Sequence, residues 1–449
     1  MAPGRVLSRC PDLRRAVATD AAGGRWVLLG RAVATEPGRP DPAAEIAGTA
    51  PGAVAGLAEG WTGRWLLIGP GAIVPDAGAL LGCLHGRADD GALVATSSPA
   101  LGRVVGRRAP RGLLDGRTLR HERGAAWTPP PLARFEGLRR LLPSQALDLA
   151  TGEPQPRRLL PPIRDLTLEE AAERVAGRLA TALRHLAAEG PPALGLTGGA
   201  DSRVALALAA RAGVGLRPFT RLTERMPLAD RLLPPRLAAA AGMMHEAHEG
   251  RPATGDRHAA LAAHAGGSVS GGDALPFLAA TRDELSGVLV GVQGFELATG
   301  HDGRRRLPAV PPDAGELARL LGEPGRGPVS VGLAAWLDWA ERTPQDGLDW
   351  RDRLQLEQRH AGLLAVKEQA YDMQDAERVP LLNGAAIHAD LLAAPEADRR
   401  AGRLQAAIVA SAAPALSEFP VNPPDWRFMR HDPARAALGT LRRLRSRLL

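Results

Sequence analysis

The sequence predicts an α/β protein with two domains, and three observations support this prediction. The first 150 residues contain short apolar runs bounded by glycine, a pattern typical of β-strands. From about residue 163, short apolar runs alternate with segments whose apolar residues have helical spacing. At 449 residues with 45% hydrophobic content, the chain is long enough for two cores. We therefore expect domains at 1–150 and 163–449, joined by a linker at 151–162.

The N-terminal domain is expected to be rich in β-structure. Its clearest predicted strands are Arg25–Gly30, Gly63–Gly69 and Gly91–Thr96. Glycine and proline in the segments 74–82 and 97–102 predict turns between these strands. The segment 154–162 is rich in proline and arginine, which favours an extended connection to the second domain.

The second domain is predicted to open with a helix. Thr167 and Glu170 have the spacing of a capping box, in which each side chain bonds the other residue's backbone N–H. Apolar residues then follow at helical spacing: Val175, Leu179, Leu183 and Leu186. The run 193–196 predicts a buried strand, and 204–212 predicts a helix that ends at Gly213.

Further αβ alternation predicts a doubly wound, mostly parallel sheet with helices on both faces. A second strand is expected at 215–220 and a third leads on from 242–248. Between them a helix is expected at 232–241, with Pro234 and Pro235 in its first turn. Ligands of such sheets bind at the carboxyl ends of the strands.

The turn after the first strand of this sheet carries the most informative motif. Its sequence is Thr197-Gly198-Gly199-Ala200-Asp201-Ser202-Arg203. Adjacent glycines let the backbone approach an anion, and the N–H groups at a helix start favour negative charge. A carboxylate beside phosphates indicates a bridging Mg²⁺, so a nucleoside triphosphate with its metal is expected. The alternative is a glycine-rich turn that only begins a helix.

This turn resembles the S-G-G-x-D-S pyrophosphate loop of the ATP pyrophosphatases, the superfamily of asparagine synthetase. The resemblance implies an adenine nucleotide α-hydrolase-like fold for 163–449, with ATP and Mg²⁺ as cofactors. The residues implied to bind the ATP phosphates are Thr197, Gly198, Gly199, Asp201, Ser202 and Arg203. Asp201 is also the implied ligand of Mg²⁺.

Two later segments extend the resemblance. Residues 288–300 resemble the family pattern S-G-x-G-[AG]-D-E-L-x-x-G, which implies that Gly291 and Gly294 belong to the nucleotide site. Glu296 is either a second carboxylate beside the metal or a residue that begins a helix. Phe295 stands where the family has an aspartate. Residues 377–383 resemble E-x-R-x-P-F-L-D, although alanine replaces the first glutamate at position 376.

The N-terminal domain resembles the N-terminal nucleophile (Ntn) glutaminase domain of asparagine synthetases, which implies an αββα sandwich. That glutaminase uses a cysteine exposed as its first residue, whereas this sequence begins Met1-Ala2-Pro3 and its cysteines are Cys10 and Cys83. A thiol elsewhere cannot use its own α-amine as a base, so no glutamine hydrolysis is expected. The domain is then a retained scaffold or a substrate-docking surface.

Without ammonia from glutamine, an amine of the substrate itself must attack the activated carboxylate. The resemblance therefore implies ATP-dependent amide-bond formation through an acyl-adenylate, with release of AMP and pyrophosphate. Relatives of this kind close β-lactams or lasso-peptide macrolactams. The expected substrate is a peptide or small molecule with a carboxylate and an amine, and the expected partners are a precursor peptide and its protease. A non-catalytic nucleotide-binding or scaffold protein is the alternative.

The only lysine and the only tyrosine of the chain, Lys367 and Tyr371, are four residues apart. On a helix they share one face, with Asp375 one turn further. A lysine kept where arginine replaces it elsewhere suggests a need for a compact charge, so Lys367, Tyr371 and Glu296 are the candidate catalytic residues. The alternative for Lys367 and Tyr371 is an ordinary solvated helix.

Composition argues against several other classes of protein. The net charge is +7, but basic residues are spread along the chain and only 3% of residues are aromatic, so nucleic-acid binding is not expected. Two cysteines offer no disulfide framework or zinc site. No signal peptide or apolar membrane span is recognised, so a cytoplasmic protein is expected. The segment 266–273 is expected to be a mobile loop near the site, and 441–449 a basic amphipathic tail.

Overall fold

The computed structural model describes most of the chain. The described residues are 12–88, 91–95, 119–120, 126–133, 137–223, 226–249, 256, 285–300, 302–428 and 437. Cys10, the expected turn at 97–102, the segment 266–273 and the tail at 441–449 lie outside this set.

The N-terminal part is built from antiparallel strands. They are β1 (Arg15–Thr19), β2 (Arg25–Ala34), β3 (Trp61–Ile68), β4 (Ala72–Pro75), β5 (Leu84–Ala88), β6 (Gly91–Ala95), β7 (Leu119–Arg120), β8 (Ala126–Trp127), β9 (Arg139–Arg140), β10 (Gln145–Asp148) and β11 (Pro154–Pro156). Six of them form one sheet of order β1-β2-β3-β4-β10-β11, three form the sheet β6-β5-β9, and β7 pairs with β8. The strands predicted at 25–30, 63–69 and 91–96 are confirmed as parts of β2, β3 and β6.

Apolar clusters lie on both faces of the six-stranded sheet. Two short helices, α1 (Pro42–Ala47) and α2 (Pro51–Leu57), cover one face. Their cluster joins them to β3: Ile46, Val54, Trp61 and Trp65. The cluster on the other face includes residues of both sheets: Val27, Leu66, Cys83, Val94 and Leu141. The described residues thus form one helical layer over two sheet layers, and the full αββα sandwich stays a prediction.

The segment predicted as an extended linker is folded onto both halves of the protein. Its strand β11 pairs with β10 at the edge of the six-stranded sheet. Leu159 and Leu160 are then buried in the main core of the C-terminal part. The apolar residues of this segment explain the difference, because their burial is more favourable than solvation of a free chain.

The C-terminal part contains a five-stranded sheet in which all pairs are parallel. Its strands are β12 (Ala193–Gly195), β13 (Arg217–Leu222), β14 (Glu246–Glu249), β15 (Gly287–Gly291) and β16 (Ala376–Pro380), in the order β14-β13-β12-β15-β16. The predicted parallel sheet is therefore confirmed. Its membership of the adenine nucleotide α-hydrolase-like class stays a prediction.

Eleven α-helices are found in the described residues of this part. They are α3 (Leu168–Ala187), α4 (Ala200–Ala212), α5 (Leu228–Ala240), α6 (Asp302–Arg306), α7 (Ala314–Leu320), α8 (Pro328–Arg342), α9 (Trp350–Leu354), α10 (Ala365–Ala370), α11 (Ala385–Ala393), α12 (Glu396–Arg400) and α13 (Arg403–Ala412). A π-helix at Gln355–Leu364 links α9 to α10. The capping box of α3 is confirmed: the Glu170 N–H donates to Thr167 Oγ1 at 3.2 Å, and the Thr167 N–H to a Glu170 carboxylate oxygen at 2.9 Å.

The helix expected at 232–241 begins earlier than predicted. Helix α5 starts at Leu228, so Pro234 and Pro235 lie inside it and not in its first turn. Each proline removes an N–H donor and leaves a carbonyl of the preceding turn without its usual partner. Leu228, Leu233 and Leu237 are buried in the main core, and this tertiary packing stabilises a helix that local propensity disfavours.

Helix α4 confirms the prediction made for the segment after the motif. It ends before Gly213, whose φ of 66° places it in the left-handed region that glycine adopts readily. Helices α3, α4 and α13 pack together on one side of the sheet, over apolar residues such as Leu194, Val290 and Val379. A smaller cluster includes Ala193, Phe219, Leu289 and the partly buried Tyr371. The motif loop is thus anchored to a buried strand and a buried helix.

Polar contacts connect the two parts at what we call the domain junction, formed by Arg31, Arg64, Asp76, Asp372, Glu377 and Asn383. The Arg31 Nε donates to Glu377 at 2.7 Å, and Arg64 forms a double contact with Asp372 that includes one distance of 2.9 Å. Asn383 Nδ2 donates to Asp76 Oδ1 at 2.7 Å. These pairs hold β16 and the residues on either side of it against strands β2 and β3 and the turn after β4.

Candidate functional site

The strand order changes direction between β12 and β15, which makes their carboxyl ends a topological switch point. From β12 the chain proceeds through β13 to β14 on one side, and β15 and β16 lie on the other side. The loops that follow β12 and β15 therefore lead away from each other. Open parallel sheets bind their ligands at such a switch point. We call this place, formed by the loops 196–199 and 292–294 with the residues that follow them, the switch-point site.

Hydroxyl groups close the loop after β12. The Thr197 N–H donates to Ser202 Oγ at 3.1 Å, and the Gly199 N–H donates to Thr197 Oγ1 at 3.1 Å. The two hydroxyl oxygens are 3.2 Å apart. Both predicted hydroxyl groups are therefore brought together at the beginning of α4, with the loop amides beside them.

Gly198 lies close to helix α5. A Cβ atom at this position would be 3.1 Å from the carbonyl carbon and oxygen of Ala229, so a larger residue would move the loop away from the helix. The Gly198 N–H donates to Asp230 Oδ1 at 2.7 Å. Burial raises the pKa of Asp230, and the Gly198 N–H acts against this effect. A protein carboxylate thus already occupies one amide of the predicted phosphate loop.

The first turn of α4 has no side-chain cap. Gly199 is its N-cap residue and offers no side-chain acceptor to the helix. The first N–H groups of a helix have no intrahelical partner, and the helix dipole makes this end electropositive. These donors, together with Thr197 and Ser202, form a surface that suits an anion.

The carboxylates of Asp201 and Glu296 lie within electrostatic range of each other at the switch-point site. Asp201 is partly exposed to solvent, but the surrounding protein desolvates its carboxylate and raises its pKa to about 6. The nearby Glu296 carboxylate is the second cause of this increase. Gln405 on α13 donates a hydrogen bond to Asp201. The nearest described cation to Glu296 is Arg359, at 3.9 Å. A like-charged pair with so little compensation is an arrangement that a cation would stabilise.

Glu296 begins a helix, one of the two alternatives considered for it, and its role as a second carboxylate beside a metal stays a prediction. It lies in the short 3₁₀ helix Phe295–Thr299, and its Oε2 accepts the Gly294 N–H at 3.0 Å, so it caps its own helix. Its influence on Asp201 also places it beside the motif loop. Phe295 is buried in the main core, so its side chain does not replace the family's aspartate within the site.

Gly291 and Gly294 allow close packing around the second loop. A Cβ atom on Gly291 would lie 2.9 Å from a guanidinium nitrogen of Arg378. Gly294 has φ of 118°, a conformation that L side chains rarely adopt. Gly291 and Gly294 therefore have a structural role: they shape the loop that carries Glu296.

Arg203 has a positioning role. Its side chain is buried and donates to four carbonyl groups: those of Gly198, Leu416, Phe419 and Pro420, at 3.4, 3.3, 2.5 and 2.9 Å. The guanidinium thus joins the motif loop to the segment 416–420. Direct phosphate binding by Arg203, which the family resemblance implies, would require these bonds to break.

Lys367 lies in the last turn of α10, and Tyr371 begins the 3₁₀ helix Tyr371–Met373 that follows it. Lys367 is partly buried in α10, which ends at Ala370, so the helix does not continue to Asp375 as expected. The Arg378 guanidinium lies 3.9 Å from the centre of the Tyr371 ring and donates to the Gln293 side chain. Gln293 precedes Glu296 by three residues, so Arg378 links Tyr371 to the second loop.

Asp201 and Glu296 suit Mg²⁺ better than they suit a metal ion whose ligands are all protein side chains. Among the described residues, no group of three or more His, Cys, Asp or Glu side chains could hold a metal ion. Mg²⁺ usually takes one or two carboxylates and completes its coordination with phosphates and water. Asp201 and Glu296 fit that pattern.

Three contributors to the site were not predicted from the sequence. Gln405 contacts Asp201, Asp230 contacts Gly198, and the Asn422 N–H donates to the Gly198 carbonyl at 3.0 Å. All three are far from the motif in sequence, and no local pattern identifies them.

Comparison with models of known protein families and with curated proteins finds no match for this chain. In the described part of the chain, the helices are too short or too polar to cross a membrane.

Proposed function

We propose that this protein is an ATP-dependent carbon–nitrogen ligase that forms an amide bond within or between substrates. The observation that carries the proposal is the electrostatic influence of the Glu296 carboxylate on Asp201, which lies in the uncapped first turn of α4. A carboxylate pair beside an uncapped helix start is suited to a nucleotide with its divalent cation.

The residues of the motif loop would bind the phosphates. Thr197 and Ser202 would offer hydroxyl hydrogens, and the first turn of α4, which has no side-chain cap, would add N–H donors. Asp201 and Glu296 would hold Mg²⁺. Bound ATP with Mg²⁺ would supply the adenylyl group that activates a carboxylate.

The nucleophile would be an amine of the substrate, as in macrolactam or lasso-type cyclases. Tyr371 would relay a proton from this amine, its phenol oxygen accepting that proton as its own proton passes to a neighbouring carboxylate, and Lys367 would stabilise the oxyanion that forms. Arg378, stacked on the Tyr371 ring, would orient it relative to the second loop. A precursor peptide, together with the protease that trims it, would be the natural source of such a substrate.

A non-catalytic nucleotide-binding or scaffold protein is the second candidate. Its support is the Asp230 carboxylate on the Gly198 N–H, which occupies a donor that phosphate would otherwise use. The burial of Phe295, where the family has an acid, points the same way.

Release of AMP and pyrophosphate from ATP tests the proposal. The assay contains Mg²⁺ and a pool of linear peptides with free amines and carboxylates, and compares the wild type with Asp201→Asn. We expect peptide-dependent release that falls about a hundredfold in the variant, the order seen when a key electrostatic group is lost. Asp338→Asn is the matched control, because Asp338 is an exposed carboxylate in a surface pair with Arg342. Mg²⁺·ATP binding without release would favour the scaffold candidate.

A further inference from the structure

Asn422 lies against the motif loop, although the two are far apart in the sequence. Its N–H donates to the Gly198 carbonyl at 3.0 Å. The segment before it is held by Arg203, whose guanidinium donates to the carbonyls of Phe419 and Pro420 at 2.5 and 2.9 Å. These hydrogen bonds fix the position of Asn422 relative to the loop that is proposed to bind phosphate.

The Asn422 side chain lies on the side of Gly199 toward which a Cβ atom would project. Such a Cβ atom would be 3.1 Å from the Thr197 hydroxyl oxygen, 3.5 Å from Oδ1 of Asn422 and 3.9 Å from its Nδ2. Thr197 and Asn422 are both exposed residues, so a ligand can reach the hydroxyl and the amide from solvent. Glycine at position 199 leaves free the space that a larger residue would fill between these two groups.

The chain contains two asparagines, Asn383 and Asn422, and their side chains are used differently. Asn383 is buried, and its Nδ2 donates to the Gly63 carbonyl at 2.6 Å and to Asp76 at 2.7 Å. The Asn422 amide has no hydrogen-bond partner among the described residues. Its N–H donors and its acceptor oxygen are therefore available to a ligand beside the motif loop.

The backbone conformation of Asn422 is unusual, because its φ of 43° lies in the left-handed region. In the described part of the chain, every other residue with such a φ is a glycine except Ala79. Pro423 adds to the cost, since a residue before proline prefers an extended conformation. Glycine would adopt this φ more readily, so the backbone alone does not explain asparagine here. A function of the side chain does, and such outliers cluster at ligand sites.

The group that fits this space is an anion with several acceptor oxygens. The Thr197 hydroxyl and the Asn422 amide border the space, and α4 begins at Ala200, next to Gly199, with N–H groups that no side chain caps. Arg203 cannot add a donor without giving up its carbonyl partners. A phosphate has enough acceptor oxygens to bind hydroxyl, amide and helix N–H groups at once.

We propose that Asn422 is a ligand-binding residue of the switch-point site, and that its Nδ2 donates to a phosphate oxygen of the nucleotide. The Thr197 hydroxyl contacts the same phosphate, and Gly199 allows the phosphate to approach. Arg203 is then a positioning residue, because it holds the segment that carries Asn422. The inference rests on the proposed function for the identity of the ligand as a nucleotide.

Calorimetric titration of the full-length protein with inorganic pyrophosphate and Mg²⁺ tests the role of Asn422. Asn422→Gly removes the amide, keeps the backbone N–H and adopts the left-handed conformation readily. We expect this variant to bind pyrophosphate about tenfold more weakly, the effect of losing one hydrogen bond to a charged group. Ser417→Gly is the matched control, because it removes an exposed polar side chain from the same segment and should change binding less than about twofold.

Asn422→Asp is the second variant. Aspartate has nearly the shape of asparagine and tolerates the same φ, but it presents an acceptor to the phosphate where asparagine presents a donor. Pyrophosphate binding should therefore fall further than in Asn422→Gly, by about a hundredfold. Thermal unfolding checks that both variants are folded. Wild-type affinity in Asn422→Asp would show that the side chain accepts a hydrogen bond or contacts Mg²⁺, and would overturn the assignment of a donor.

A second titration with Mg²⁺·ATP separates this inference from the proposed function. Binding of both ligands that weakens in both Asn422 variants would support the two together. ATP binding with wild-type affinity in Asn422→Gly would overturn the role of Asn422 and leave the proposed function intact. Pyrophosphate binding that depends on Asn422, without ATP binding, would support the role of this residue and contradict the nucleotide function. No binding of either ligand by the wild type would overturn both.

Discussion

The domain junction and the switch-point site both contain charged residues. They differ in whether these residues have partners of opposite charge. At the junction Arg31 and Arg64 each contact a carboxylate, and Asp76 accepts hydrogen bonds from Asn383 and from four backbone N–H groups. At the switch-point site two carboxylates lie within electrostatic range of each other, and the nearest described cation to Glu296 is 3.9 Å away. Compensated charge indicates a structural role, and uncompensated like charge indicates a place for a ligand.

The largest effect is expected from Asp76→Ala at the domain junction. The substitution leaves the Asn383 side chain and several buried N–H groups without their acceptor, so the free energy of unfolding should fall by about 4 kcal/mol. Urea denaturation measures this loss. The control Asp338→Ala removes an exposed carboxylate and should change stability by less than about 1 kcal/mol. Equal losses in the two variants would refute the structural role of the junction.

A smaller, pH-dependent effect is expected from His388, which lies in α11. Burial, with His360 as second cause, lowers the pKa of His388 to about 3, whereas an unfolded histidine titrates near 6.5. The unfolded state therefore binds the proton more readily between these values, and stability is lost as the pH falls below about 6.5.

The slope due to His388 should approach about 1.4 kcal/mol per pH unit for a single proton. It is measured as the difference between the wild type and His388→Asn in urea denaturation from pH 7 to pH 4. Parallel curves for the two proteins would show that His388 does not titrate in this way.

The smallest effect on stability is expected at the switch-point site. Asp201→Asn removes one of two like charges and keeps an oxygen that can accept the hydrogen bond from Gln405. The unfolding free energy at pH 7 should therefore stay within about 1 kcal/mol of the wild type, or rise slightly. Thermal and urea unfolding measure this. A large loss would mean that Asp201 is structural, as Asp76 is.

The parts of the fold that sequence predicts best are those with a local physical signal. The Thr167 and Glu170 pair identifies the start of α3, and Gly213 identifies the end of α4. The motif loop is also found where the strand-to-helix transition predicts it. In each case residues within one turn of each other determine the conformation.

The predictions that were wrong concern tertiary packing. Pro234 and Pro235 indicate a helix start, yet burial of Leu228 and Leu233 extends α5 before them. The segment 151–162 is rich in proline, yet β11 joins a sheet. In the site, Gln405 and Asp230 reach the motif from distant positions in the chain. Such contacts depend on the whole fold, which local patterns do not specify.

Calorimetric titration with ATP, in the presence of Mg²⁺ and then of a chelator, tests the central claim most directly. We expect ATP to bind in the presence of Mg²⁺. Chelation of Mg²⁺, Asp201→Asn and Glu296→Gln should each weaken ATP binding about tenfold or more. Asp338→Asn should bind as the wild type does. ATP binding that is indifferent to Mg²⁺ and to both variants, or no ATP binding at all, would contradict the assignment of the switch-point site.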